Sequence, residues 1–87
     1  MSSEVKALFI NKSKDGLNNF CGKNIAEYRK ALNISQRDLA DRLQLAGLDI
    51  DKNAIQRIEC GKRSVTDIEI VYISKVLNVS FEDLLNN

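Results

Sequence analysis

Apolar residues recur at helical spacing along most of this chain. In the middle stretch, Leu39, Leu43 and Ala46 fall at i, i+4 and i+7, which predicts an amphipathic helix over residues 36–46. Ser35 with Asp38 three residues on is a capping-box-like start, and Gly47 is the C-terminal stop. A connection from Gly47 to Asp51 leads to a shorter helix over 52–60, capped by Asp51 and stopped by Gly61. Its inward stripe is Ala54, Ile55 and Ile58, which leaves Lys52, Asn53, Gln56 and Arg57 on the other side.

Three more helices flank this pair. Ile25, Tyr28 and Leu32 predict one over Lys23–Leu32, with Asn24 as its cap and Asn33 at its end. Thr66 with Glu69 is a second capping-box pattern, opening a helix over 67–77 whose Ile68, Val71, Tyr72 and Val76 give a broad apolar face. Ser80 caps a last short helix, Phe81–Leu85. The sequence contains no proline, so helix ends depend on caps and glycines. Leu39, Leu43, Ile55, Ile58, Ile68 and Leu77 are expected in one core cluster. The fold class is all-α, a compact bundle of five short helices.

The first 21 residues read as a partly ordered arm, and residues 22–87 as the domain. Val5–Ile10 is a short apolar run, too brief to separate strand from helix by period. A polar segment around Asp15 and Gly16 follows it. Two readings of the arm stand side by side. It packs Leu8 or Phe9 on the domain, or it carries Lys6, Lys12 and Lys14 along DNA.

Composition narrows the chemistry. With 87 residues, 44% of them apolar and 29% charged, the chain is one small domain. It buries about 60–65% of its unfolded surface, enough for one core and no deep catalytic cleft. Net charge is +1, which does not suit a globally basic polyanion binder. The charge is polarised, however. Residues 1–34 are net +3, residues 51–64 net +2, and residues 65–87 net −3.

There is no histidine, and the two cysteines, Cys21 and Cys60, are 39 positions apart, so no metal-ligand spacing exists and no cofactor is implied. A disulfide is open in principle, but two buried thiols are the favoured reading. No apolar run approaches the ~20 residues of a membrane span, and a cytoplasmic protein is expected. With no glycine-rich phosphate loop, and no nucleophile paired with a base, an enzyme is not expected.

The polar face of the 52–60 helix carries the most chemistry. Asn and Gln pair with adenine edges, Arg and Lys with guanine edges or phosphates. The bland alternative for each residue is a solvated surface polar.

Several ordered residues resemble the lambda-repressor/Cro-type (XRE-like) helix-turn-helix family. They are Ile25 with Tyr28 and Arg29; Ser35 and Gln36, then Leu39 and Ala40; Ile55, then Arg57, Ile58 and Glu59 before Gly61, Lys62 and Arg63; and Leu77, Asn78 and Val79 before Leu84 and Leu85. The resemblance runs from Gly22 to Leu85, 64 of 87 positions. It implies that helices two and three form a helix-turn-helix on double-stranded DNA, with helix three in the major groove.

The resemblance also assigns residues. Gln36 is implied to meet the DNA backbone, and Lys52, Asn53 and Arg57 base edges or adjoining phosphates. Gln56 is a further candidate adenine reader. Lys62 and Arg63 are implied to grip phosphates, and Arg29 with Glu59 to form an internal ion pair tying helix one to helix three. One departure stands out: the chain between Leu43 and Ile55 is longer than the family pattern by about five residues. The extra residues either extend helix two or lengthen the turn.

These readings point to a sequence-specific transcriptional regulator. A repressor acting as a homodimer on operator DNA is expected, because one such domain offers few base contacts. Phe81, Leu84 and Leu85 are the candidate dimer contacts, with sealing of the core as their alternative role. The rival is a protein-interaction module, an anti-repressor or antitoxin-type partner that uses the same fold without reading DNA.

Overall fold

The computed structural model describes residues 16–86. Among these the chain forms five helices and no strand: α1 (Cys21–Ala31), α2 (Gln36–Ala46), α3 (Lys52–Glu59), α4 (Asp67–Leu77) and α5 (Phe81–Leu85). The all-α bundle expected from the periodicity is the fold observed. The Val5–Ile10 run and Lys6, Lys12 and Lys14 lie outside the described residues.

Side-chain caps start four of the helices. Ser35 with Asp38, Thr66 with Glu69, and Ser80 with Asp83 form reciprocal capping boxes. At α3, Asp51 Oδ1 accepts the Ala54 N–H at 2.8 Å. Each cap satisfies N–H groups that the first turn leaves without a helical partner. At α1 the expectation is corrected. The helix begins at Cys21 rather than Lys23, and Asn19 Oδ1 accepts the Gly22 N–H at 2.7 Å. Asn24 is therefore inside the helix. Its Nδ2 donates to the Leu84 and Asn86 carbonyls at 2.8 and 2.7 Å, tying α1 to the end of α5.

A left-handed residue turns the chain out of each of the first four helices: Asn33, Gly47, Gly61 and Asn78. The amide after each one reaches back into the last turn, Ile34 to Arg29, Leu48 to Leu43, Lys62 to Arg57 and Val79 to Ser74. These bonds satisfy carbonyls at the helix ends, where asparagine is the next residue after glycine to tolerate the conformation.

The core contains Ile25, Leu39, Leu43, Ile55, Ile58, Ile73 and Leu84, all fully buried, with Cys21, Ala40, Ile50 and Leu77 around them. Ile68 is not among them. It is 63% exposed. The inward stripe of α4 runs through Ile73 and Leu77, and Ile68 lies five residues before Ile73, about 140° around the helix. Because α4 is apolar on most of its circumference, the sequence does not single out the inward stripe.

Two other stripe residues are also corrected. Ala46 is exposed at the end of α2, where Ala40 is buried instead. Leu32 lies past the end of α1 and is exposed, and the position one turn after Ile25 belongs to Arg29.

The longer connection lengthens the turn, since α2 stops at Ala46. It is pinned twice: Ile50 enters the core, and Gln44 Nε2 donates to the Ile50 carbonyl at 2.8 Å. Both cysteines are free thiols, but only Cys21 is buried, which corrects the expectation of two buried thiols. Cys60 sits at the end of α3, whose inward positions are taken by Ile55 and Ile58, and it is exposed. Among the described residues no helix is long and apolar enough to cross a membrane, and no group of side chains could hold a metal ion.

Candidate nucleic-acid interface

Eight residues make α3, and their spacing divides them sharply. Ile55 and Ile58 are fully buried and Ala54 half-buried, while Lys52, Asn53, Gln56 and Arg57 are exposed. Among the described residues, none of those four side chains makes a hydrogen bond or ion pair within the chain. Asn53, Gln56 and Arg57 line one open depression together with Asp51, Ala54 and Arg63. Lys52 and Asn53 line a second depression, between α3 and α2, with Arg37, Asp41 and Gln44. The sequence reading did not single out Arg37. It is exposed and follows Gln36, and its place beside Lys52 depends on how α2 and α3 cross.

Behind that face is a buried polar knot. Arg29 donates through Nε to Glu59 Oε2 at 2.7 Å and through Nη2 to Oε1 at 2.9 Å, and its Nη1 meets the Ile34 carbonyl at 2.8 Å. The two side chains are only 10% and 7% exposed. The Glu59 hydrogen bonds, opposed by burial, push the Arg29 guanidinium above its ordinary range. Burial of charge is tolerated here because both ions are paired and bonded on several sides.

Gln36 belongs to this knot. Its Nε2 donates to Glu59 Oε1 at 2.9 Å, linking the start of α2 to the end of α3. The side-chain donor that the resemblance assigned to DNA is thus used internally. The start of α2 still offers a phosphate its leading backbone N–H groups and the second N–H of the half-buried Gln36 amide.

The loop after α3 separates its two cations. Lys62 is exposed. Arg63 is half-buried and grips Glu69 with both terminal nitrogens, Nη1 to Oε1 at 2.9 Å and Nη2 to Oε2 at 2.7 Å. Those hydrogen bonds hold the Glu69 carboxyl below the usual carboxylate range, against burial, with the Thr66 backbone N–H adding to the effect. Glu69 is also the acid of the α4 capping box, accepting from the Thr66 N–H at 2.9 Å. Arg63 thus anchors the loop to α4, leaving Lys62 as the cation that faces outward.

The candidate dimer contacts divide as well. Leu84 is completely buried and seals the core, whereas Phe81 and Leu85 are exposed.

Comparison with known proteins agrees with this geometry. A family model described as helix-turn-helix matches residues 25–84. No curated protein matches the chain. Among solved structures, the restriction-modification controller protein C.AhdI from Aeromonas hydrophila is similar at a TM-score of 0.65 and 25% identity, covering 74% of this chain and 86% of that chain.

Proposed function

The chain belongs to the helix-turn-helix family and is a DNA-binding transcription regulator, and from that premise we infer that it reads a specific operator through α3 and represses by occupying it. The observation that carries this reading is the contrast between engaged and unengaged polar residues. Arg29, Gln36, Glu59, Arg63 and Glu69 are consumed by internal bonds. Lys52, Asn53, Gln56 and Arg57 stand exposed on one face of α3. A solvated outer face would also be polar, but these four side chains carry the donors and acceptors that pair with base edges and phosphates, on the helix that follows the turn.

In this reading α3 lies in the major groove. Asn53 and Gln56 present amides to adenine edges, and Arg57 and Lys52 reach guanine or flanking phosphates. Lys62, and the first backbone N–H groups of α2 at Gln36, meet phosphates and set the register. Arg63 acts through Glu69 on the loop. Two copies on a two-fold site double the base contacts, and Phe81 and Leu85 supply apolar surface for pairing them. The similarity to C.AhdI, a restriction-modification controller protein, supports a regulator of transcription.

Selection from random duplexes followed by gel shift at several salt concentrations tests this. Asn53→Ala should cost about 1–3 kcal/mol on the selected site and little on random DNA. Lys62→Ala should weaken both alike and lower the salt slope by roughly one phosphate. Equal losses on both duplexes for Asn53→Ala would remove base reading by α3. No DNA binding at all would leave the protein-interaction reading.

A further inference from the structure

The residues just ahead of α1 make contacts that base reading does not require. The Asn18 backbone N–H donates to the Gly61 carbonyl at 2.8 Å, and Asn18 Nδ2 donates to the Lys62 carbonyl at 2.8 Å. Asn19 Nδ2 donates to the Arg63 carbonyl at 2.6 Å and to the Ile58 carbonyl at 3.1 Å. Three consecutive loop carbonyls and one at the end of α3 are held by two adjacent asparagines.

The seat is close. A Cβ at Gly61, whose φ is +79°, would come within 2.7 Å of Leu17 Cδ2, and a Cβ at Gly22 would overlap the Ile58 carbonyl. Glu69 holds the same loop from its other side through Arg63. Surface loops are ordinarily the least restrained part of a domain. This loop is restrained from both sides, and it carries the outward-facing Lys62.

We propose that Asn18 and Asn19 are positioning residues for DNA binding. They form a bracket that fixes the Gly61–Arg63 backbone so that Lys62 meets a phosphate from a set place beside α3. This rests on the DNA-binding reading of α3 and deepens it. It makes residues 17–19 part of the DNA-binding unit, although they precede the family match that begins at residue 25. The physical gain is preorganisation: a loop ordered on folding does not lose that entropy again on binding. Asn18 separates positioning from folding, because its side-chain bond to Lys62 lies at the surface, where one neutral hydrogen bond adds little net stability.

The experiment uses the full chain and a mixed-sequence duplex of about two helical turns, because a phosphate contact acts on any sequence. Affinity is measured at several salt concentrations for the parent, Asn18→Ala, Lys62→Ala and the double variant. Asn18→Ala should weaken binding roughly twofold to fivefold at low salt and lower the salt slope by part of one phosphate. Its melting temperature should stay within about 2 °C of the parent. Lys62→Ala should cost clearly less in the Asn18→Ala background than in the parent, the mark of two residues acting through one contact. In the free protein, amide resonances of residues 61–63 should move while those of α5 do not.

Additive losses, or an Asn18→Ala variant with the parent's affinity and salt slope while Lys62→Ala weakens binding, overturn the bracket and leave DNA binding intact. A parent that binds no duplex overturns both. Should Asn18→Ala melt well below the parent, Asn18→Ser, whose hydroxyl is too short to reach the Lys62 carbonyl, is judged by the same criteria.

Discussion

Removing the Glu59 carboxylate tests the polar knot directly. Glu59 accepts three hydrogen bonds, two from Arg29 and one from Gln36, at 2.7 to 2.9 Å, with its side chain 7% exposed. In Glu59→Ala the Arg29 guanidinium remains buried with only the Ile34 carbonyl as partner, and the Gln36 amide loses its acceptor. Breaking a fully buried pair from one side costs roughly 3–5 kcal/mol. The slight solvent access at Arg29 argues for the lower end, about 3 kcal/mol. For a domain of this size each kcal/mol shifts melting by about 4–8 °C, so a drop of roughly 12–24 °C is expected by circular dichroism. Glu59→Gln retains an acceptor but no charge and should fall between. Arg29→Ala with Glu59→Ala together should cost much less than the sum of the single changes. Glu59→Ala melting within about 2 °C of the parent, or strictly additive losses, would show that the pair does not hold the helices together.

Three further outcomes follow from the packing and the charges. Ile58→Ala should cost on the order of 2–5 kcal/mol in denaturant unfolding, whereas Ile68→Ala on the exposed side of α4 should stay within about 0.5 kcal/mol; comparable losses would contradict the assignment of the inward stripe. The Glu69 carboxyl titrates below its ordinary range, chiefly through its bonds to Arg63. Its stabilisation is therefore present above the unfolded carboxylate pKa and lost as pH falls through the lowered folded value. Glu69→Gln should be less stable than the parent near neutral pH and should converge with it in acid; parallel stability profiles would refute the linkage. Cys60 is exposed, while burial pushes the Cys21 thiol up, so a thiol reagent should label one cysteine in the native protein and both after unfolding.

What could be read from the sequence is what leaves a local signature. Capping boxes set both partners within four residues, and the Ser35 and Thr66 boxes were visible for that reason. Gly47 and Gly61 marked helix ends by residue type alone, and Asn33 marked the end of the first helix. The pairing of α1 with α3 has no such signature. Arg29 and Glu59 are thirty residues apart, and only the family resemblance suggested that they meet.

Contacts between a side chain and a distant backbone are harder still. Asn18 and Asn19 sit in a polar stretch that reads as a breaker, and nothing in their spacing shows that they close on the loop at 61–63. Arg63 looked like a twin of Lys62 because the two are adjacent. They differ because Glu69, six positions on, lies within reach of one of them. Gln36 was assigned to DNA by the resemblance alone, and its internal acceptor, Glu59, lies 23 positions on.

These examples share one physical rule. Composition tells which side chains could bind a phosphate or a base, but folding decides which are spent on the protein's own carbonyls and carboxylates, since a buried charge or amide without a partner is costly. On this chain the deciding acids are Glu59 and Glu69, which between them engage Arg29, Gln36 and Arg63. The polar side chains those two carboxylates leave unclaimed, Lys52, Asn53, Gln56 and Arg57 on α3 and Lys62 beyond it, are the ones we propose for DNA.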